Sequence, residues 1–155
     1  MSLIKPFSGI RPKKKFAKKI TSPNVSYIDN YKPNKKLNFL NLLNSSNINK
    51  SKKMLSALKE KGIIQKDQSN HFYLYRITYN KKKLLGIVGK INLENYDDKK
   101  ILGHEETFLE RIKKRKEQLL KFNSQISPIY TTYKSKPNSL KKLNKIFKYK
   151  PDYNF

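Results

Sequence analysis

Between Phe72 and Leu93 the chain changes character, and this stretch constrains its fold more than any other. Phe72, Tyr73, Leu74, Tyr75, Ile77 and Tyr79 form a run dense in β-preferring residues. After a short polar break come Leu84, Leu85, Ile87, Val88, Ile91 and Leu93. Aromatic and β-branched side chains suit the pleated, half-buried surface of a strand. Two such runs joined by the turn-length spacer Asn80-Lys81-Lys82-Lys83 predict a β-hairpin over about 72–93. Gly86 and Gly89 within the second run predict bulges or a close backbone approach. Apolar residues fall on both faces, so the hairpin is expected to belong to a covered sheet.

Helical signals flank this stretch. Met54, Leu55 and Leu58 give an apolar stripe over about 51–61, and Gly62 stands where a C-terminal glycine cap belongs. Phe108, Leu109, Ile112, Leu119 and Leu120 recur at helical spacing over about 105–122. Glu105, Glu106 and Glu110 come first and Lys113, Lys114, Arg115, Lys116 and Lys121 later, an order that complements the helix dipole. Leu37, Phe39, Leu40, Leu42 and Leu43 fit either a short helix or a buried strand. Ile126 to Tyr133 reads as a strand, and Leu140, Leu143, Ile146 and Phe147 as a short basic helix. Pro6, Pro12, Pro23 and Pro33 exclude one long helix at the start, where the cluster Lys13 to Lys19 is expected in an extended, solvated lead-in strand. The fold class is therefore α/β (α+β): a mixed sheet around the central hairpin, packed by the helices at about 51–61 and 105–122. Three regions follow: an extended basic segment 1–36, an α/β unit 37–134, and a basic tail 135–155. The tail ends in neither a capped helix nor a finished strand, so the domain is expected to be incomplete.

Composition bounds the function. With no cysteine there is no disulfide framework and no thiolate metal site. No segment approaches the roughly 20 apolar residues of a membrane span, and a cytoplasmic protein with no membrane partner is expected. The formal net charge is +25, which favours polyanion contact, non-specific nucleic acid included. Of the 36 basic residues only four are Arg, however, and Lys enriched together with Asn is also what an A/T-rich coding sequence produces. The charge thus points to a function or to genomic bias.

Gly103-His104-Glu105-Glu106-Thr107 is the one compact polar constellation. A zinc-protease reading fails, because it needs a second His four residues after the first and position 108 is Phe. No metal site is expected. Two readings stay open: a plain helix start, or an anion site in which His104 and the free helix N–H groups face a phosphate, with Arg111 or Arg115 one or two turns on. A Mg²⁺ held by one carboxylate would offset the repulsion from Glu105 and Glu106. Tyrosines interleave with basic residues around Tyr73 to Arg76. They read as sheet-core packing, since base stacking requires aromatics on an exposed face with a basic rim.

Several of these residues carry a resemblance. Ile4-Lys5-Pro6-Phe7 with Arg11-Pro12, Leu37-Asn38-Phe39-Leu40, Phe72-Tyr73-Leu74-Tyr75-Arg76, Gly86-Ile87-Val88-Gly89, Tyr96, Gly103 to Thr107, Arg111, and Ser127-Pro128-Ile129-Tyr130 with Tyr133 occur in an order that resembles the N-terminal half of the bacterial family called domain of unknown function 1015. Members of that family are longer, and carry downstream an Asp-Gly-His-His-Arg motif similar to that of ParB-like proteins and the archaeal free-serine kinase. This sequence has no such motif. At Ser22-Pro23-Asn24-Val25-Ser26-Tyr27 it also departs from the family's usual Pro-Pro-Tyr-Asp-Val. The resemblance implies the front part of a nucleotide-dependent, serine-kinase-like phosphoryl-transfer protein, using a nucleotide with Mg²⁺ in the full-length molecule. This chain alone would be inactive, its missing C-terminal half or a small-molecule or nucleotide ligand being its partner. The candidate site is His104, Glu105, Thr107 and Arg111, with Arg11, Arg76 and Arg115 as weaker phosphate or substrate contacts. The competing reading is a small basic module that binds nucleic acid.

Overall fold

The computed structural model describes residues 4–21, 37–44, 47–92, 101–102, 108–126, 128–132 and 137–154. Its architecture is mixed α/β, with strands β1 (Ile4–Lys5), β2 (Ile10–Pro12), β3 (Ile64–Lys66), β4 (Tyr73–Tyr79), β5 (Lys82–Val88) and β6 (Lys90–Ile91). The helices are α1 (Ala17–Ile20), α2 (Phe39–Asn44), α3 (Ile48–Glu60), α4 (Leu109–Phe122) and α5 (Pro137–Ile146). In place of one mixed sheet, the strands form three separate antiparallel pairs: β1 with β6, β2 with β3, and β4 with β5. Two compact units result, one from Met1–Gly9 and Gln68–Pro151, the other from Ile10–Asp67 and Asp152–Phe155.

The second unit is built around α3. Asn47 caps its start, the side chain accepting from the Lys50 N–H at 3.0 Å. Its end is closed by Gly62 at φ +59°: the Gly62 N–H donates to the Lys59 carbonyl and the Ile63 N–H to the Leu58 carbonyl, each at 2.9 Å. This is a Schellman closure, in which only a residue comfortable at positive φ allows the following apolar residue to fold back onto the last turn. Ile63 and Ile64 thereby join Leu58 and Ile20 in the buried cluster, with Phe16, Leu37 and Leu55 against it. Each fully buried Leu or Ile contributes about 1.5–3 kcal/mol. The buried polar groups are satisfied. Asn38 donates to the Thr21 carbonyl and accepts from the Leu40 N–H, and the Ser51 hydroxyl donates to the Leu42 carbonyl.

The stretch Lys13 to Lys19 corrects the sequence expectation. It is not an extended lead-in but a 3-10 turn over Lys14–Phe16 running into α1. A helical turn puts Phe16, Ala17 and Ile20 on the core side and leaves Lys14, Lys15, Lys18 and Lys19 exposed, whereas a strand would split these apolar residues between two faces. Within its own unit α3 packs on α2 and β3. Of the segment Leu37 to Leu43, the part from Phe39 onward is helix, in α2.

The first unit holds the hairpin. β4 and β5 pair from Tyr73↔Val88 to Tyr79↔Lys82. Their turn is shorter than the four residues expected. Asn80 and Lys81, both at positive φ, form it alone, and such a two-residue turn matches the right-handed twist of the flanking strands. Gly86 lies opposite Tyr75, whose ring occupies the space a Cβ would fill. At the base of the hairpin the Tyr73 phenol accepts from the Gly9 N–H at 2.6 Å, and its ring meets that of Phe7 edge-on at 5.1 Å. A bridge between Phe7 and His71 continues this contact. The strand expected over Ile126 to Tyr133 is absent from the described part of that segment, where Ile129 and Tyr130 are exposed. Among the described residues no helix is long and apolar enough to cross a membrane.

Candidate anion-binding site

Helix α4 is amphipathic and basic, and ends at Asn123 in the left-handed conformation that closes many helices. Only Phe122 of its apolar residues is buried; Leu109, Ile112, Leu119 and Leu120 are exposed. Arg111, Ile112, Arg115, Lys116 and Leu119 line a groove of about 440 Å³. Arg111 and Arg115 stand one turn apart, a spacing that places them on neighbouring positions of the helix surface. The Arg111 guanidinium lies 5.2 Å from the centroid of the Phe108 ring, and Arg115 donates to the Gln118 side-chain carbonyl at 3.4 Å. Among the described residues neither guanidinium has a carboxylate within ion-pair distance. A guanidinium presents a planar fork of N–H donors suited to phosphate or carboxylate oxygens, so the pair is a candidate anion contact, although the groove beside it is lined mainly by apolar surface.

The other candidates from the sequence are placed differently. His104, Glu105 and Thr107 lie outside the described residues, as do Gly103 and Glu106. Arg76 belongs to the same unit as α4, but donates to the Phe147 carbonyl at 3.4 Å. Arg11 belongs to the other unit and is engaged in full. Its Nε donates to both carboxylate oxygens of Asp67, at 3.1 and 2.9 Å, and Nη2 donates to Oδ1 at 2.9 Å. Asp152 stands 3.7 Å from Nη1, and the Tyr153 ring centroid 5.7 Å from the guanidinium carbon. The hydrogen bonds to Asp67 outweigh desolvation and hold the Arg11 pKa above its ordinary value. Within its own unit, Arg111 shares the surface of α4 with Arg115.

Sequence reading missed the partners of Arg11, because Asp67 and Tyr153 are remote along the chain and no spacing rule connects them. It also missed Lys116 and Leu119 as groove-lining residues. Helical periodicity from Ile112 could have found them, at one and two turns. No group of three or more His, Asp or Glu able to hold a metal ion occurs among the described residues.

No curated protein and no solved structure matches this chain. The model of the family described as "Protein of unknown function (DUF1015)" matches residues 4–155. That span contains both units, the hairpin glycines and the arginine-bearing helix, and on it the chain belongs to the DUF1015 family.

Proposed function

We propose that this chain supplies phosphate contacts in a cytoplasmic, nucleotide-dependent phosphoryl-transfer protein of serine-kinase-like type. The observation that carries the reading is the pair of guanidiniums, Arg111 and Arg115, beside an open groove on α4 with, among the described residues, no carboxylate within ion-pair distance. The constellation His104, Glu105 and Thr107 directly precedes that helix in sequence. Phosphoryl-transfer sites work chiefly by positioning phosphates and neutralising their charge, which is the task of cationic forks. Mg²⁺ bound with a nucleotide is held largely by phosphate oxygens and one or two carboxylates; Glu105 and its neighbour Glu106 offer them here.

Isothermal titration of the 155-residue chain with MgATP and with inorganic phosphate tests the reading. MgATP is expected to bind, and Arg111→Ala together with Arg115→Ala to weaken binding by about tenfold or more, charge-assisted hydrogen bonds contributing about 1.5–3 kcal/mol each. Unchanged binding in the double variant would refute it.

A further inference from the structure

The outer half of the hairpin carries a surface that the phosphoryl-transfer reading does not use. Side chains alternate along a strand, so Tyr73, Tyr75, Ile77 and Tyr79 share one face of β4. The register sets Lys82, Leu84, Gly86 and Val88 opposite them on β5. The inner part of this face is packed: Tyr73 is tied to Gly9 and Phe7, and Tyr75 lies over Gly86. The outer part is bare. Tyr79 is 74% exposed, Ile77 53% and its cross-strand partner Leu84 43%.

Along the hairpin's own sequence the charge has one sign. From Gln68 to Asn92 there is no Asp or Glu, while Arg76, Lys81, Lys82, Lys83 and Lys90 supply five cations. Compositional bias can enrich lysine, but here carboxylates are also missing, although Asp67 and Glu94 bracket the stretch. Lys81 occupies the turn, Lys82 sits across from Tyr79, and Lys83 begins the opposite face. All three are exposed.

We infer that the tip of the β4–β5 hairpin binds single-stranded nucleic acid, with a base stacked on Tyr79 and flanked by Ile77 and Leu84, and Lys81, Lys82 and Lys83 on the phosphates. An exposed aromatic ring on a strand with a basic rim is the arrangement that accepts an unpaired base and its backbone together. An acidic peptide would satisfy the lysines and leave the ring without a matching face. A membrane surface would call for more apolar area than one tyrosine, one isoleucine and one leucine provide.

The test is fluorescence anisotropy of the whole chain against a labelled oligo(dT) of about twelve nucleotides, with a duplex of the same length and phosphatidylserine vesicles as competitors. Tyr79→Ala is expected to weaken single-strand binding about fivefold or more, and Tyr79→Phe to restore it. Replacing Lys81, Lys82 and Lys83 by Gln should flatten the dependence of log affinity on log salt by about 0.7 for each lysine engaged. The same charge removed at Lys141, Lys142 and Lys145 of α5 controls for general basicity and should leave the Tyr79 effect intact. Circular dichroism confirms that each variant remains folded. Equal affinity for wild type and Tyr79→Ala, equal loss in the Phe and Ala variants, or stronger competition by duplex or vesicles than by unlabelled oligo(dT) would each overturn the inference. None of these readouts depends on Arg111 or Arg115, so this surface and the α4 site can fail separately.

Discussion

Replacing Asp67 by alanine removes the carboxylate that receives three hydrogen bonds from Arg11, all at 2.9–3.1 Å. An exposed ion pair contributes only about 0–1 kcal/mol, and breaking a fully buried one costs about 3–5 kcal/mol. Burial decides between these limits. The Asp67 side chain is 8% exposed and that of Arg11 34%, so the orphaned guanidinium can rehydrate in part while remaining near Asp152. The expected loss is about 2 kcal/mol, lower than the buried limit because Arg11 keeps contact with water. For a chain of this length that lowers Tm by about 4–8 °C if unfolding is cooperative. Urea unfolding followed by far-ultraviolet circular dichroism gives the free energy. A double-mutant cycle with Arg11→Met isolates the pairing, and Arg11→Lys should recover the charge without the fork geometry and so only part of the stability. A coupling energy below about 0.5 kcal/mol would refute the argument, placing the pair with exposed surface contacts.

Two further substitutions test packing and backbone geometry. Leu58→Ala empties the centre of the cluster formed with Ile20, Ile63 and Ile64 and should cost about 2–5 kcal/mol in the same urea assay; less than 1 kcal/mol would mean that the cluster is not a packed core. Lys81→Gly places the residue best suited to positive φ after Asn80 and should stabilise the hairpin by about 0.4–1 kcal/mol. A lower Tm in that variant would contradict the turn.

What was legible in the sequence is what depends on neighbours along the chain. The period of Met54, Leu55 and Leu58 with Gly62 after it foretold α3 and its closure, because the cap is completed within five residues. The two apolar runs foretold the hairpin for the same reason. Pairings between remote segments were not legible: Ile4 with Ile91, Arg11 with Gln65, and Arg11 with Asp67 depend on how the units close. Ile126 to Tyr133 shows the opposite failure: among the described residues of that segment, strand-forming side chains make no strand. The tyrosines divide by position along the hairpin. Tyr73 and Tyr75 pack as the sequence suggested, but Tyr79 is carried past the packed half by the tightness of the two-residue turn. In the candidate site, Arg111 and Arg115 could be named from helical spacing, while the groove between them and Leu119 required the helix to be left uncovered on that face.

The central claim, that α4 and the constellation before it contact phosphate, is tested most directly by a ¹⁵N–¹H correlation spectrum of the whole chain recorded through a titration with MgATP. The account predicts saturable shifts concentrated in the amides of residues 103–116 and in the side-chain Nε–H signals of Arg111 and Arg115. Shifts spread evenly over the lysine-rich surface, or saturable shifts centred on Arg11 with α4 unmoved, would contradict it.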